Sequence, residues 1–313
     1  MKTDLKSTLS RCQKLKPDLL VIADLKWKYL VRSTLRGKNI LILGETGCGK
    51  TLAVTSVANA VGKLEKFEKF NLGSTQDPRS SLIGNTHFDK QTGTIFNEST
   101  FVRTIRNPES IILLDEISRA HPDAWNILMS TLDDTQRYLR LDEKIDNEVV
   151  KVETGVTFIA TANVGNEYTA TRVMDRALLD RFPVKIEMSR LGKQEEYDLM
   201  VRRFKLTEKD MLKTLSDIVE IAEHVHQNKN STDSKLTNSI STRGVVEMTE
   251  LIQDGFSLKE IAECVIYPFF DDSGGVDSER TYVKQLVQKY VPIDGISATP
   301  FTASPKPNSN APF

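Results

Sequence analysis

Five short apolar-rich runs punctuate the first 190 positions: Asn39–Leu43 (NILIL), Phe67–Leu72 (FEKFNL), Ser110–Leu114 (SIILL), Val156–Ala160 (VTFIA) and Pro183–Met188 (PVKIEM). Each has strand length, and SIILL is too apolar to be half exposed. Stretches of ten or more residues with helical periodicity lie between them. Strands alternating with such segments predict an α/β fold with a mainly parallel five-stranded sheet between helices. Before the first run, Leu5, Leu9 and Cys12 predict a short helix that Pro17 breaks. A second helix is expected from Asp18 to Leu35, stopping at Arg36-Gly37, and a third from Thr51 to Val61.

From about Arg190 the strand signals fade and a smaller all-helical unit is expected. Thr207-Glu-Lys-Asp210 reads as the cap of a helix reaching about Gln227, followed by helices near Thr242–Gln253, Ser257–Tyr267 and Asp277–Tyr290. The pattern divides the chain into an N-terminal helical extension (1–23), an α/β unit (24–189), a helical unit (190–291) and a tail (292–313). That tail holds five of the eleven prolines, interleaved with Ser, Asn and Ala, and is expected to be disordered. Phe301 and Phe313 leave it open as a docking segment.

The first run leads directly into Gly44-Glu45-Thr46-Gly47-Cys48-Gly49-Lys50-Thr51, a full Gly-x-x-x-x-Gly-Lys-Thr phosphate loop continued by Leu52. Such a loop works where a strand ends and a helix begins, because backbone N–H groups and the helix N-terminus then converge on phosphate oxygens. Gly44, Gly47 and Gly49 allow close approach, Lys50 reaches the β and γ phosphates, and the Thr51 hydroxyl ligates Mg²⁺. The third run ends in Asp115-Glu116, one carboxylate to hold the metal and one to polarise a water. The fourth continues to Asn163, a neutral amide able to hydrogen-bond the γ-phosphate or the water. Arg176 and Arg181, in MDRALLDRF, could each stabilise the charge of a phosphoryl transition state. Asp175 and Asp180 make a salt-bridged surface helix the competing reading for Arg176.

Forty-two basic and forty-three acidic residues leave a net charge of −1, so no global positive field favours nucleic acid, which is the less favoured partner. No apolar run approaches a membrane span and MKTDLKSTLSRCQK lacks a signal-peptide core, which predicts a cytoplasmic protein without a membrane partner. Cys12, Cys48 and Cys264 are scattered, as reduced thiols would be.

In this order, GETGCGKT, ILLDE, FIATAN, ALLDRF and Ser241-Thr-Arg243-Gly resemble an AAA+ ATPase of the MoxR-like, dynein-related branch that includes CobS/CbbQ-like and McrB-like modules. The resemblance covers about residues 24 to 290 and implies an AAA+ P-loop NTPase fold with a helical lid. It implies ATP and Mg²⁺ as cofactors, with Asp115/Glu116 as Walker B, Asn163 as sensor 1, Arg181 as the finger reaching a neighbouring subunit's nucleotide, and Arg243 as sensor 2. Arg119 matches part of a DEINRA-like segment. Also implied are a homo-oligomeric, hexameric ring and a protein substrate or adaptor, including von Willebrand A-type proteins with a metal-dependent adhesion site. Loss of the γ-phosphate would rotate the lid and move pore hairpins. Asp77–Phe96 is similar to a pore-lining insertion, with His87-Phe88 as its pore-facing pair. Tyr138–Leu141 with Glu148–Val152 is similar to the hairpin before sensor 1. The McrB-like alternative is a GTP-driven motor acting with a nucleic-acid-binding or nuclease partner.

Overall fold

The computed structural model describes residues 5–90, 93–144, 146–163, 174–231, 234 and 236–291; the 292–313 tail lies outside this set. Its central sheet comprises β1 (Ile40–Gly44), β2 (Phe67–Asn71), β5 (Ile111–Asp115), β8 (Thr157–Asn163) and β9 (Val184–Met188). These are parallel and ordered β2-β5-β8-β1-β9. The remaining strands form two antiparallel hairpins, β3 (Gly84–Asp89) with β4 (Gly93–Glu98) and β6 (Tyr138–Leu141) with β7 (Glu148–Lys151). Both hairpins occupy the segments the sequence marked for them.

The two-residue period of a strand explains why the runs are so apolar. In β1, Leu41 enters one core, while Ile40 and Ile42 enter another on the opposite face of the sheet. In β5, Ile112 and Leu114 face the first core, and Ile111 and Leu113 the second. A sheet buried on both faces has no polar side to display. One cover comes from α2 (Asp24–Leu35) and α3 (Lys50–Ala60), through Trp27, Val54 and Val57; the other comes from α5 (Thr100–Ile105) and α6 (Pro122–Thr131), through Phe101 and Leu128. Phe158 is fully buried, with the Phe101 ring centroid 6.2 Å away and the Arg137 guanidinium 5.3 Å over its own ring. Phe158→Ala is expected to cost about 3–5 kcal/mol, measured by denaturant unfolding.

The helical region packs α8 (Lys193–Phe204), α9 (Lys209–Lys229), α10 (Thr242–Gln253) and α12 (Glu279–Val287) around Met200, Ile218, Val245, Met248 and Val283. Arg190, between β9 and α8, reaches Glu223 of α9 at 3.0 Å and Glu196 of α8 at 3.7 Å, tying the linker to both helices. Short helices α1 (Leu5–Gln13), α4 (Pro78–Leu82) and α7 (Arg176–Asp180) complete the connections described below.

Three expectations need correction. The second helix begins at Asp24, not Asp18, because Leu20 and Ile22 insert into the sheet core and hold the preceding segment non-helical. The cap before α9 is Glu208 rather than Thr207, and it makes no side-chain cap bond. The Ser257–Tyr267 helix stays α-helical only over α11 (Leu258–Ile261), then widens into a π turn (Ala262–Ile266) and tightens to 3₁₀ (Tyr267–Phe269). Pro268 has no N–H to continue the ladder, which accounts for the change.

Candidate active site

The phosphate loop lies where β1 gives way to α3. Gly47 and Gly49 adopt φ of +86° and +88°, a region that other residues enter only under strain. Gly44 meets a different constraint, since a Cβ there would overlap the Met188 carbonyl and press on Cys48 Sγ. The Lys50 ammonium donates to the Gly44 and Glu45 carbonyls at 2.9 and 2.7 Å. Burial lowers the Lys50 pKa and Arg243 adds to that, against the pull of Cys48, Asp115 and Glu116. Burial likewise pushes the Cys48 thiol up.

Strand order places the other motifs beside this loop. β8 lies between β1 and β5, so Asn163 pairs in register with Gly44, and Asp115 ends the next strand. Thr46, Gly47, Gly49, Lys50, Thr51 and Leu52 therefore share a cleft of about 220 Å³ with Asp115, Glu116, Thr161, Asn163 and Arg243. Arg243 comes from the start of α10, where the Ser241 side chain accepts from the Gly244 N–H. Of the loop, Gly44, Glu45 and Cys48 do not line this cleft: the first two hold Lys50 by their carbonyls, and Cys48 lines a neighbouring cavity.

Asp115 is 8% exposed. Its carboxylate accepts from the Thr161 hydroxyl and forms a 2.6 Å ion pair with Lys69. Burial pushes the carboxyl up, but the Lys69 and Thr161 contacts outweigh it and hold the group below the ordinary aspartate value. Glu116 follows with φ of +57°, a left-handed turn that re-aims its side chain away from the strand direction. Its N–H donates to the Thr161 hydroxyl at 3.0 Å, and its carboxylate lies 3.6 Å from Arg119. A Cβ on Gly73 would overlap Glu116, so this glycine leaves room for the carboxylate. Thr51 and Asp115 bring a hydroxyl and a carboxylate, hard oxygen donors suited to Mg²⁺, into the same cleft. A carboxylate offers about four lone-pair sites, so its two present donors leave acceptor capacity for a metal.

A second cavity, also about 220 Å³ and mostly apolar, adjoins the first and shares Gly47, Gly49, Leu52 and Arg243 with it. Leu19–Val21, Leu191, Leu199 and Val246 supply most of its wall. Nothing in the sequence pattern marked Leu19–Val21 for this role. Thr161 was also missed, although it alternates with Asn163 on the same face of β8.

Arg176 and Arg181 line neither cavity. Arg176 is exposed at the start of α7, which Asp175 caps by accepting from the Ala177 N–H at 3.0 Å. Arg181 pairs with Asp133 at 3.1 Å, and its carbonyl accepts from the Asn39 amide at 2.9 Å. Asn39 immediately precedes β1, so the Arg181 backbone sits at the end of that strand remote from the phosphate loop, roughly 16 Å from Gly44. Contacts from the Thr135 hydroxyl, then the Thr135 and Gln136 N–H groups and Arg181, lower the Asp133 pKa to about 2.

Three free cysteines are present, and among the described residues no group of three or more His, Cys, Asp and Glu side chains could hold a metal. No helix of the described residues is long and apolar enough to cross a membrane.

The profile of the AAA domain (dynein-related subfamily) matches residues 39–182, and that of the CbbQ/NirQ/NorQ C-terminal region matches residues 206–286. The chaperone candidate BssE of Thauera aromatica is 32% identical over 223 residues, 71% of this chain and 72% of BssE. Lon protease of Rickettsia bellii is 31% identical over 57% of this chain but 22% of its own length. ClpB of Lactococcus lactis subsp. cremoris is 33% identical over 49% of this chain and 17% of its own length. This chain thus spans less than a quarter of the length of either of those two relatives. With the parallel sheet, the phosphate loop and the helical C-terminal region in place, the chain belongs to the dynein-related AAA domain subfamily, in the MoxR-like branch with a CbbQ/NirQ/NorQ-type C-terminal region.

Proposed function

We propose that this protein hydrolyses ATP with Mg²⁺ between adjacent subunits of a ring and uses the cycle to remodel or activate a partner protein. The observation that carries this reading is the single cleft shared by Lys50, Thr51, Asp115, Glu116, Asn163 and Arg243. In it, Lys50 holds the β and γ phosphates, Thr51 and Asp115 hold Mg²⁺, and Glu116 accepts the proton of the attacking water. Asn163 and Arg243 contact the terminal phosphate. Bound Mg²⁺ would supply charge neutralisation at the phosphate oxygens.

The adjoining apolar cavity suits the base. Among the described residues its polar side chains are Cys48, Arg203, Thr242 and Arg243, with no carboxylate to accept the two N–H donors of a guanine edge. That composition favours ATP over GTP. Arg181, remote from its own phosphate loop, is suited to serve the neighbour's nucleotide. BssE's description as a chaperone candidate and the 74% exposure of Phe88 on the β3–β4 hairpin support a protein as the partner.

Lys50→Ala is expected to weaken nucleotide binding about 10- to 100-fold, the loss of charge-assisted hydrogen bonds to phosphate, measured by calorimetry. Turnover measured side by side with ATP and GTP tests the base assignment. A strong GTP preference would overturn it.

A further inference from the structure

We propose that Lys69 is a resident counter-cation of Asp115, which weakens the cleft's hold on Mg²⁺ and compensates the carboxylate when no metal is bound. This rests on the reading of Asp115 as a metal ligand. β2 lies beside β5, with Lys69 in register with Leu113 and Asn71 with Asp115, so Lys69 stands one strand away and two residues back. From there its ammonium reaches Asp115 Oδ2 at 2.6 Å without lining the cleft. Thr161 takes Oδ1 from the β8 side. Lys50, the cation that the phosphate loop itself supplies, spends its donors on loop carbonyls. Among the described residues, Lys69 is therefore the cation in direct ion pair with this buried acid.

An edge-strand lysine commonly faces water and blocks unwanted strand pairing. Lys69 instead directs its charge inward, its side chain 44% exposed against 12% for Asp115. A divalent ion arriving on the same carboxylate meets a positive charge already in contact with it. The repulsion is damped by solvent around the lysine stem, so the effect is moderate rather than prohibitive. Lys69 is a positioning and tuning residue, since it does not line the cleft and acts through Asp115.

Mn²⁺ serves as the probe, with free ion counted by electron paramagnetic resonance in the presence of saturating ADP. Lys69→Met and Lys69→Gln are expected to bind Mn²⁺ about two- to fivefold more tightly than the wild type, and Lys69→Arg to bind it as the wild type does. Thermal unfolding supplies a second readout: Lys69→Gln should lower the midpoint more in chelator than with Mn²⁺ and ADP. Unchanged or weaker Mn²⁺ affinity in Lys69→Gln overturns the proposal. Asp115→Asn separates the two layers. If it weakens Mn²⁺ binding while Lys69→Gln changes nothing, the Lys69 inference alone fails. If Asp115→Asn leaves Mn²⁺ affinity intact, the metal-ligand reading fails and takes this inference with it.

Discussion

Glu116→Gln is expected to lower kcat about 10²- to 10⁴-fold, the usual contribution of a positioned general base. The amide keeps the size of the carboxylate and its place against Gly73, but cannot accept a proton from water. The left-handed turn at Glu116 and its N–H bond to Thr161 belong to the backbone and survive the change. ADP affinity should therefore stay within about threefold of the wild type, because the lost interaction is made in the transition state. Steady-state turnover together with fluorescent-nucleotide titration checks both halves. A kcat within tenfold of the wild type would assign the base elsewhere.

Arg181→Ala should cost about 10³- to 10⁵-fold in turnover, the range for an arginine delivered to a phosphoryl transition state. The side chain is held by Asp133 at 3.1 Å, and its backbone is pinned by Asn39, whose amide also donates to the Leu132 carbonyl at 2.8 Å. These contacts fix the arginine at the far end of β1 from its own phosphate loop. An isolated subunit should thus be nearly inactive with either residue at this position, and the defect should appear only where subunits meet. Arg176→Ala provides the comparison, as an exposed helix-start arginine without a contact in either cavity. Single-turnover measurements at matched protein concentration distinguish the two arginines.

The sheet was legible because burial on both faces writes continuous apolar runs, and SIILL and VTFIA are hard to place anywhere else. The phosphate loop, Asp115, Glu116 and Asn163 were legible for a related reason: each stands at the carboxyl end of such a run, where α/β folds collect ligands, whereas Arg243 comes from α10 and Thr161 lies inside its strand. The walls of the base cavity were not legible. Leu19–Val21 reads as the first turn of a helix by periodicity, and only long-range packing of Leu20 and Ile22 shows it to be irregular. Lys69 carries no mark in the sequence, since its contact with Asp115 depends on strand order rather than on spacing. The π turn after Ile261 was not legible, since a regular helix was expected through Tyr267 and the turn's form depends on how Ile266 and Phe270 pack into the helical core. His87 and Phe88 lie on β3 of the first hairpin, with Asn97 of β4 3.3 Å from the His87 ring.

In the proposed ring, catalysis needs groups from two subunits, Lys50 of one and Arg181 of its neighbour. Mixing Lys50→Ala protein with Arg181→Ala protein probes that requirement. Each alone is expected to be inactive, while in a mixed ring some interfaces join an intact phosphate loop to an intact Arg181, so ATPase activity should reappear and peak near equal proportions. Absence of activity at every ratio, in mixtures confirmed to co-assemble, would contradict the claim.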